Sequence, residues 1–242
     1  MITLSIVNHG HDDFLPPLFN DLVDIQEISK VILTNNIQNN YKIDLPSELQ
    51  SKTLIINNKI TRGFSSNHNA AFDLCSSEYF CIVNPDIRIK ENPFPKMLNL
   101  FNDKDVALVG PAVISNKGTI EDSARTYPTL FNLMRRKLGL ENDNYNFRLN
   151  DAPFNPDWIA GMFLLLKSNY FNKVGKLDEK NYYMYCEDID LCIRLKKLGK
   201  KILLEPSVFV IHNARRTSRK NIKYFLFHLN SMYNFYKKHY FN

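Results

Sequence analysis

Five short apolar runs punctuate the first half of the chain, at residues 4–7, 30–34, 53–56, 79–83 and 106–109. Between them, residues 13–23, 65–74 and 95–101 have the length and apolar spacing of helices. This alternation constrains the fold more than any other feature. A helix between two strands carries the chain back across a sheet, so that successive strands run the same way. The expectation is an α/β fold, with a mainly parallel sheet flanked by helices on both faces.

After about residue 112 the rhythm breaks. A polar segment containing Pro128, Pro153 and Pro156 precedes the apolar run 158–166, and reads as an insertion or lid. From Glu187 the sequence EDIDLCIRLKKLG has acids in a first helical turn, bases in a last one, and Gly199 as a stop. Strands are expected at 201–204 and 208–211, then a long basic and aromatic helix over 220–239. No internal repeat or low-complexity tract interrupts the pattern.

A chain of 242 residues with 44% hydrophobic content is large enough for one well-filled core with a small appended element. The net charge of +6 favours an anionic partner without saying which. Cys75, Cys81, Cys186 and Cys192 form neither a CxxC pair nor a His/Cys cluster, so buried reduced thiols are expected rather than zinc or disulfides. No run approaches the roughly 20 apolar residues that a bilayer requires, and no basic stretch followed by an apolar one precedes the first strand. A cytoplasmic location is the expectation.

The run 79–83 ends in Asn84-Pro85-Asp86, which places Asp86 at the carboxyl end of a buried strand, where open α/β sheets bind ligands. A carboxylate there can hold Mg²⁺ or Mn²⁺, with a diphosphate and water supplying the remaining oxygens. The same tripeptide also serves as an ordinary turn. His212 ends the run 208–211 and could give a neutral imidazole to the same metal, or be purely structural. Glu187, Asp188 and Asp190 put three carboxylates at one helix start beside Tyr183 and Tyr185. Helix capping needs fewer acids, so one of them can act as a base, and Asp188 is the choice, with Glu187 and Asp190 shaping an acceptor site or anchoring the helix.

Taken in order, these segments resemble family 2 glycosyltransferases of the Rossmann-like GT-A fold, and within them bacterial rhamnosyltransferases of O-antigen and related polysaccharide assembly. The resemblance runs through Ser5 to His11, Arg62 to Asn69, Asn84-Pro85-Asp86, Trp158 to Phe163, Tyr183 to Leu191, and His212. It implies an inverting transfer of a sugar, dTDP-L-rhamnose being the donor, to a saccharide or undecaprenyl-diphosphate-linked acceptor. A divalent metal, Mg²⁺ or Mn²⁺, would sit on Asp86 and His212, and Asp188 matches the general base. The donor side would include Asn8, Asn36, Arg62, Gly63, Phe64, Asn67, Asn84 and Asp86. Gly63 would let the backbone pass close to the nucleotide, and Asn67 would donate hydrogen bonds to it. Trp158 and Gly161 would line the sugar and acceptor pocket, Arg125 would pair with a phosphate, and Glu187 would complete the acidic pair. The sequence departs from the family at Asn35 and Asn84, where the pattern has acids. By the same resemblance, residues 1–215 form the transferase domain, with a nucleotide-sugar half at 1–112 and an acceptor half at 113–215.

Residues 216–242 form the appended tail. Arg215, Arg216, Arg219, Lys220 and Lys223 precede a dense set of aromatics, a composition suited to an anionic membrane surface and equally to a core-packed helix with a charged face. A peripheral position on the inner face of the cell membrane is the expectation. Three rival readings remain: a sugar nucleotidyltransferase, a catalytically silent nucleotide-sugar-binding protein, and a nucleic-acid binder. The first lacks a Gly-rich basic loop, and the last lacks a binding motif, so no nucleic acid is expected.

Overall fold

The computed structural model describes residues 1–37, 43–121, 123–128, 145–213 and 222–241. In chain order it contains β1 (Ile2–Asn8), α1 (Leu15–Leu22), β2 (Ile28–Asn35), a short α2 (Ser47–Gln50), β3 (Thr53–Asn57), α3 (Phe64–Phe72) and β4 (Tyr79–Val83). There follow β5 (Ile87–Arg88), α4 (Phe94–Leu100), β6 (Val106–Ser115), β7 (Ala124–Arg125), β8 (Trp158–Ile159) and β9 (Phe163–Lys167). The chain closes with α5 (Ser168–Lys173), α6 (Glu187–Lys197), β10 (Lys201–His212) and α7 (Ile222–Tyr240). All five strands expected in the first half are present.

The main sheet has the order β3-β2-β1-β4-β9-β6-β10-β5. Strands β3, β2, β1 and β4 are parallel, as are β6 and β10. The sheet is nevertheless mixed. Strand β9 runs antiparallel to both β4 and β6, and β5 runs antiparallel to β10. The expected pair of strands at 201–204 and 208–211 is one strand, β10, whose register against β6 slips between Glu205 and Phe209. The slip absorbs the residues around Pro206 without ending the strand. The run 158–166 is likewise divided, into β8 and β9, with a turn at 160–162.

Alternation along the strands builds two cores. Ile2, Leu4, Ile6, Cys81 and Val83 face α1 and α4, where Leu15, Leu18, Phe19 and Leu22 repeat at helical spacing. Pro16 and Pro17 occupy the first turn of α1, where a missing N–H is harmless. Phe80 and Ile82 face the other way, onto Phe72, Phe171, Leu191 and Leu195 of α3, α5 and α6. Helix α6 stops at Gly199, whose φ of 74° suits a residue without Cβ. Of the four thiols, all free, Cys81 and Cys192 are buried and Cys75 and Cys186 are half-buried.

Helix α7 packs onto the start of α6 through Phe235 and Tyr236, which join Tyr182 and Ile189 in a third cluster. Burial of two such rings contributes about 1.5–3 kcal/mol each. Polar ties reinforce it: Ser231 donates to the Met184 carbonyl at 2.8 Å, and Asn234 to that of Asn181 at 2.8 Å. The buried Asp190 carboxylate meets Arg194 Nε, Lys238 Nζ and His239 Nε2, each at 2.7 Å. Of the two roles left open for Asp190, this contact set supports anchoring. Arg215, Arg216, Arg219 and Lys220 lie outside the described residues.

Candidate active site

The carboxyl ends of β1, β2 and β4 open into a cavity of about 1190 Å³. Asn84 and Asp86 enter it from the end of β4, and Asn36, Arg62, Phe64 and Asn67 from the loops beyond β2 and at the start of α3. Arg125, Trp158, Gly161, Glu187 and Asp188 close the opposite side. Three expected site residues, Asn8, Gly63 and His212, support these walls from behind.

The pairing of β5 with β10 brings Asp86 to His212. His212 lies opposite Ile87, and Asn213 N–H donates to the Asp86 carbonyl at 2.8 Å. His212 Nε2 is 3.3 Å from Asp86 Oδ2, and its Nδ1 is 2.6 Å from Glu121 Oε2. Burial alone would weaken the imidazole's hold on a proton. The two carboxylates outweigh it and raise its pKa to about 8. Asp86 Oδ1 is buried with no hydrogen-bond partner among the described residues. That orphaned oxygen beside a histidine nitrogen suits a hard divalent cation taking two protein ligands and the rest from diphosphate and water. Among the described residues, no group of three or more His, Cys, Asp or Glu is arranged to hold a metal ion by itself.

Across the cavity, Tyr185 and Cys186 hold consecutive left-handed conformations, with φ of 74° and 65°. Such backbone costs about 1–2 kcal/mol per residue, and here it aims the first turn of α6 into the cavity. Asp188 accepts the Gly161 N–H at 2.9 Å and its neighbour's N–H, from Ile189, at 2.9 Å. Burial raises its pKa, while these donors and the charge of Arg125 oppose the rise. Arg125 itself lies over the Trp158 ring, 5.1 Å from the centroid. Glu187 has less support: it is buried, its Oε2 lacks a partner among the described residues, and burial next to Asp188 outweighs its one backbone N–H donor and holds its pKa well above the carboxylate range. The two adjacent acids are therefore driven apart, with Glu187 keeping its proton more strongly.

An amide network supports the donor side. Asn8, Asn35 and Asn57 stand opposite one another at the ends of β1, β2 and β3, and their side chains bond in series at 3.3 and 2.8 Å. Asn36 pairs with both the N–H and the C=O of Arg62 at 2.8 Å. Asn67 donates to the Gly63 carbonyl at 3.0 Å and accepts from Asn58 at 2.7 Å, so its amide holds the 62–63 loop as well as lining the cavity. Gly63 also has a local explanation. A Cβ there would lie 2.4 Å from the Tyr183 carbonyl, which accepts the Phe64 N–H at 2.8 Å. Gly161 is less restricted, since a Cβ would only touch Asp188 at 3.5 Å.

Other cavity residues lie in segments that the sequence singled out without assigning them to the site. His9 and His11 follow β1, and Lys223, Tyr224, Phe227 and His228 come from α7. The density of aromatics marked α7 as unusual, but only its docking onto α6 shows that one of its faces walls the cavity. Glu121 had no signal in spacing; it arrives by the return of the chain after β6.

This sheet, with a cavity at its carboxyl edge and acidic groups on two sides, is the GT-A glycosyltransferase architecture. Among solved structures it is similar to GalNAc-T7 with UDP, GalNAc and Mn²⁺ (TM-score 0.65, 13% identity, 89% of this chain and 44% of that one). It is also similar to the mannosyltransferase PcManGT from Pyrobaculum calidifontis in complex with GDP-Man and Mn²⁺ (TM-score 0.61, 12% identity, 89% and 58%). Residues 6–169 match the model of glycosyl transferase family 2, and the chain belongs to that family. It is 27% identical to rhamnosyltransferase WbbL of Escherichia coli (strain K12) over 97% of this chain and 92% of that protein. It is 29% identical to the N-acetylglucosaminyl-diphospho-decaprenol L-rhamnosyltransferase of Mycobacterium tuberculosis (strain CDC 1551 / Oshkosh), over 65% of this chain and 54% of the relative. The chain thus spans about half the length of that second relative. Family membership resolves the rival readings in favour of a glycosyltransferase.

Proposed function

We propose that this enzyme moves L-rhamnose from dTDP-L-rhamnose, with inversion at the anomeric carbon, to a saccharide acceptor carried on a lipid diphosphate such as undecaprenyl diphosphate, in bacterial surface polysaccharide (O-antigen) assembly. The reading rests on one observation: Asp86 and Asp188, from distant parts of the chain, line the same cavity. The names of the two relatives support the choice of sugar. On this reading residues 1–112 form the donor half, 113–215 the acceptor half and 216–242 the tail.

Asp188 takes the proton of an acceptor hydroxyl as that oxygen attacks the anomeric carbon, and the bond from that carbon to the diphosphate breaks. Its two N–H donors fix the carboxylate, and Arg125 favours its ionised form. Glu187, which holds its proton more strongly, leaves Asp188 as the better acceptor of the two. On the other side, Asp86 and His212 would hold Mg²⁺ or Mn²⁺, which when bound would offset charge on the nucleoside diphosphate. Arg62 and Arg125 face the same space and suit phosphate oxygens.

The test is to incubate the protein with nucleotide sugars and Mg²⁺ or Mn²⁺, following donor binding by thermal shift and transfer to a lipid-linked acceptor. Stabilisation by dTDP-L-rhamnose above other donors is expected. Asp188→Asn should keep that shift and lose about 10²-fold or more in turnover. Normal turnover by this variant would overturn the role of Asp188.

The outer face of α7 supports a membrane-surface location for this reaction. Ile222, Phe225, Leu226, Leu229 and Tyr233 recur at helical spacing and are 49–75% exposed, beside Lys237. Among the described residues, no helix is long and apolar enough to cross a membrane. Flotation with anionic vesicles should recover the protein, and Phe225→Glu with Leu229→Glu should abolish it. Wild-type protein that stays unbound would refute the location.

A further inference from the structure

We infer that Glu121 is a positioning residue for the metal site: it fixes the His212 ring so that Nε2 presents its lone pair beside Asp86. The inference rests on the proposed metal site and extends it to a residue outside the cavity lining. Strand β6 pairs with β10 so that Ser115 lies opposite His212. The chain then turns back on itself, with Ser115 N–H donating to the Thr119 carbonyl at 2.8 Å, Gly118 at a φ of 76°, and Ile120 bridging Ile114. Glu121 is pinned from both directions, its N–H donating to the Val113 carbonyl at 2.7 Å and its carbonyl accepting the Ser123 N–H at 2.9 Å. The return therefore delivers a carboxylate to the side of His212 opposite Asp86.

The two distances decide what that carboxylate does. Glu121 Oε2 lies 2.6 Å from Nδ1, whereas Asp86 Oδ2 lies 3.3 Å from Nε2. An ionised carboxylate only accepts, so when the ring gives up one proton to admit a cation, the shorter contact keeps the other on Nδ1. In the neutral ring Nε2 is then the bare nitrogen, the tautomer that a cation between it and Asp86 requires. A histidine ligand commonly donates its second nitrogen to a carboxylate in this way, and loss of such a partner weakens metal binding about 10- to 100-fold. Glu121 and His212 are only 22% and 15% exposed at their side chains, so water competes poorly for the contact.

The test measures Mn²⁺ affinity in the presence of dTDP, by electron paramagnetic resonance of the free ion, for wild type, Asp86→Ala, Glu121→Gln and Glu121→Leu. Glu121→Leu should weaken binding about 10- to 100-fold. Glu121→Gln, whose side-chain oxygen still accepts from Nδ1, should recover most of that loss. A general disturbance of the β6 return would not separate the two variants in this order. Thermal unfolding checks that each variant folds, and Glu121→Gln alone, binding Mn²⁺ more weakly than wild type by a few-fold, carries the case if the leucine variant does not fold. The inference is overturned if Glu121→Leu binds Mn²⁺ as wild type does, or if glutamine proves no better than leucine. If wild type and Asp86→Ala bind Mn²⁺ equally, the metal reading itself fails and takes the role of Glu121 with it.

Discussion

Replacing Asp190 by alanine should release α7 from the body of the protein. The carboxylate is fully buried, and three donors reach it at 2.7 Å: Arg194 Nε on one oxygen, Lys238 Nζ and His239 Nε2 on the other. Removing one member of a buried ion pair costs about 3–5 kcal/mol, mostly because the partner charge is left behind. Here both cations have some access to water, with side chains 17% and 30% exposed, and Lys238 keeps Asp178 at 2.8 Å. The lower end, about 3 kcal/mol, is therefore the expectation. For a chain of this size each kcal/mol moves the melting temperature by about 2–4 °C, so Tm should fall by about 6–12 °C. Scanning calorimetry reads that shift, and limited trypsin digestion reads where the structure loosens. Cleavage at Lys223 and Lys237 should accelerate before the rest of the chain is attacked. Donor binding should weaken as well, because Lys223, Tyr224 and Phe227 wall the cavity from this helix. A Tm within about 2 °C of wild type, with α7 no more sensitive to trypsin, would refute the latch.

Two further outcomes follow from the geometry. Gly63→Ala should destabilise the protein by about 1–3 kcal/mol in urea unfolding: Gly63 has an extended backbone that alanine adopts freely, so the usual small gain from a stiffer unfolded chain is available, but the new Cβ would meet the Tyr183 carbonyl at 2.4 Å. A variant as stable as wild type would show that the 183–186 segment yields without cost. Glu187 gives a pH signature: burial and Asp188 raise its pKa in the folded state, so its contribution to stability is complete below the ordinary glutamate value and is lost as pH rises toward the folded one. Glu187→Gln should therefore gain stability relative to wild type as pH rises from about 4.5, by at most about 1.4 kcal/mol per pH unit, and a difference independent of pH from 5 to 9 would contradict this.

The parts of the molecule that sequence patterns conveyed were those decided locally. The strands of the first half follow from apolar runs, the end of α6 from Gly199, and the acid-rich helix start from three carboxylates in four residues. The direction of β9 was not legible, because its four consecutive buried residues look the same whichever way the strand runs. Asn67 and Gly63 were visible as site residues, but their hydrogen bonds and close approach to the 183 segment depend on contacts across the fold. Glu121 and the cavity face of α7 depend on how distant segments return, which no spacing encodes.

The position of α7 in the chain has a consequence for how the enzyme comes into being. Every described strand of the sheet has been made once His212 leaves the ribosome, yet part of the cavity wall is still to come. A product shortened just after β10 would retain all its strand pairings and the Asp86, His212 and Asp188 side chains, while lacking one side of its reaction chamber. Such a fragment would keep those side chains without that wall, and α7, made after the sheet, is the helix that supplies it.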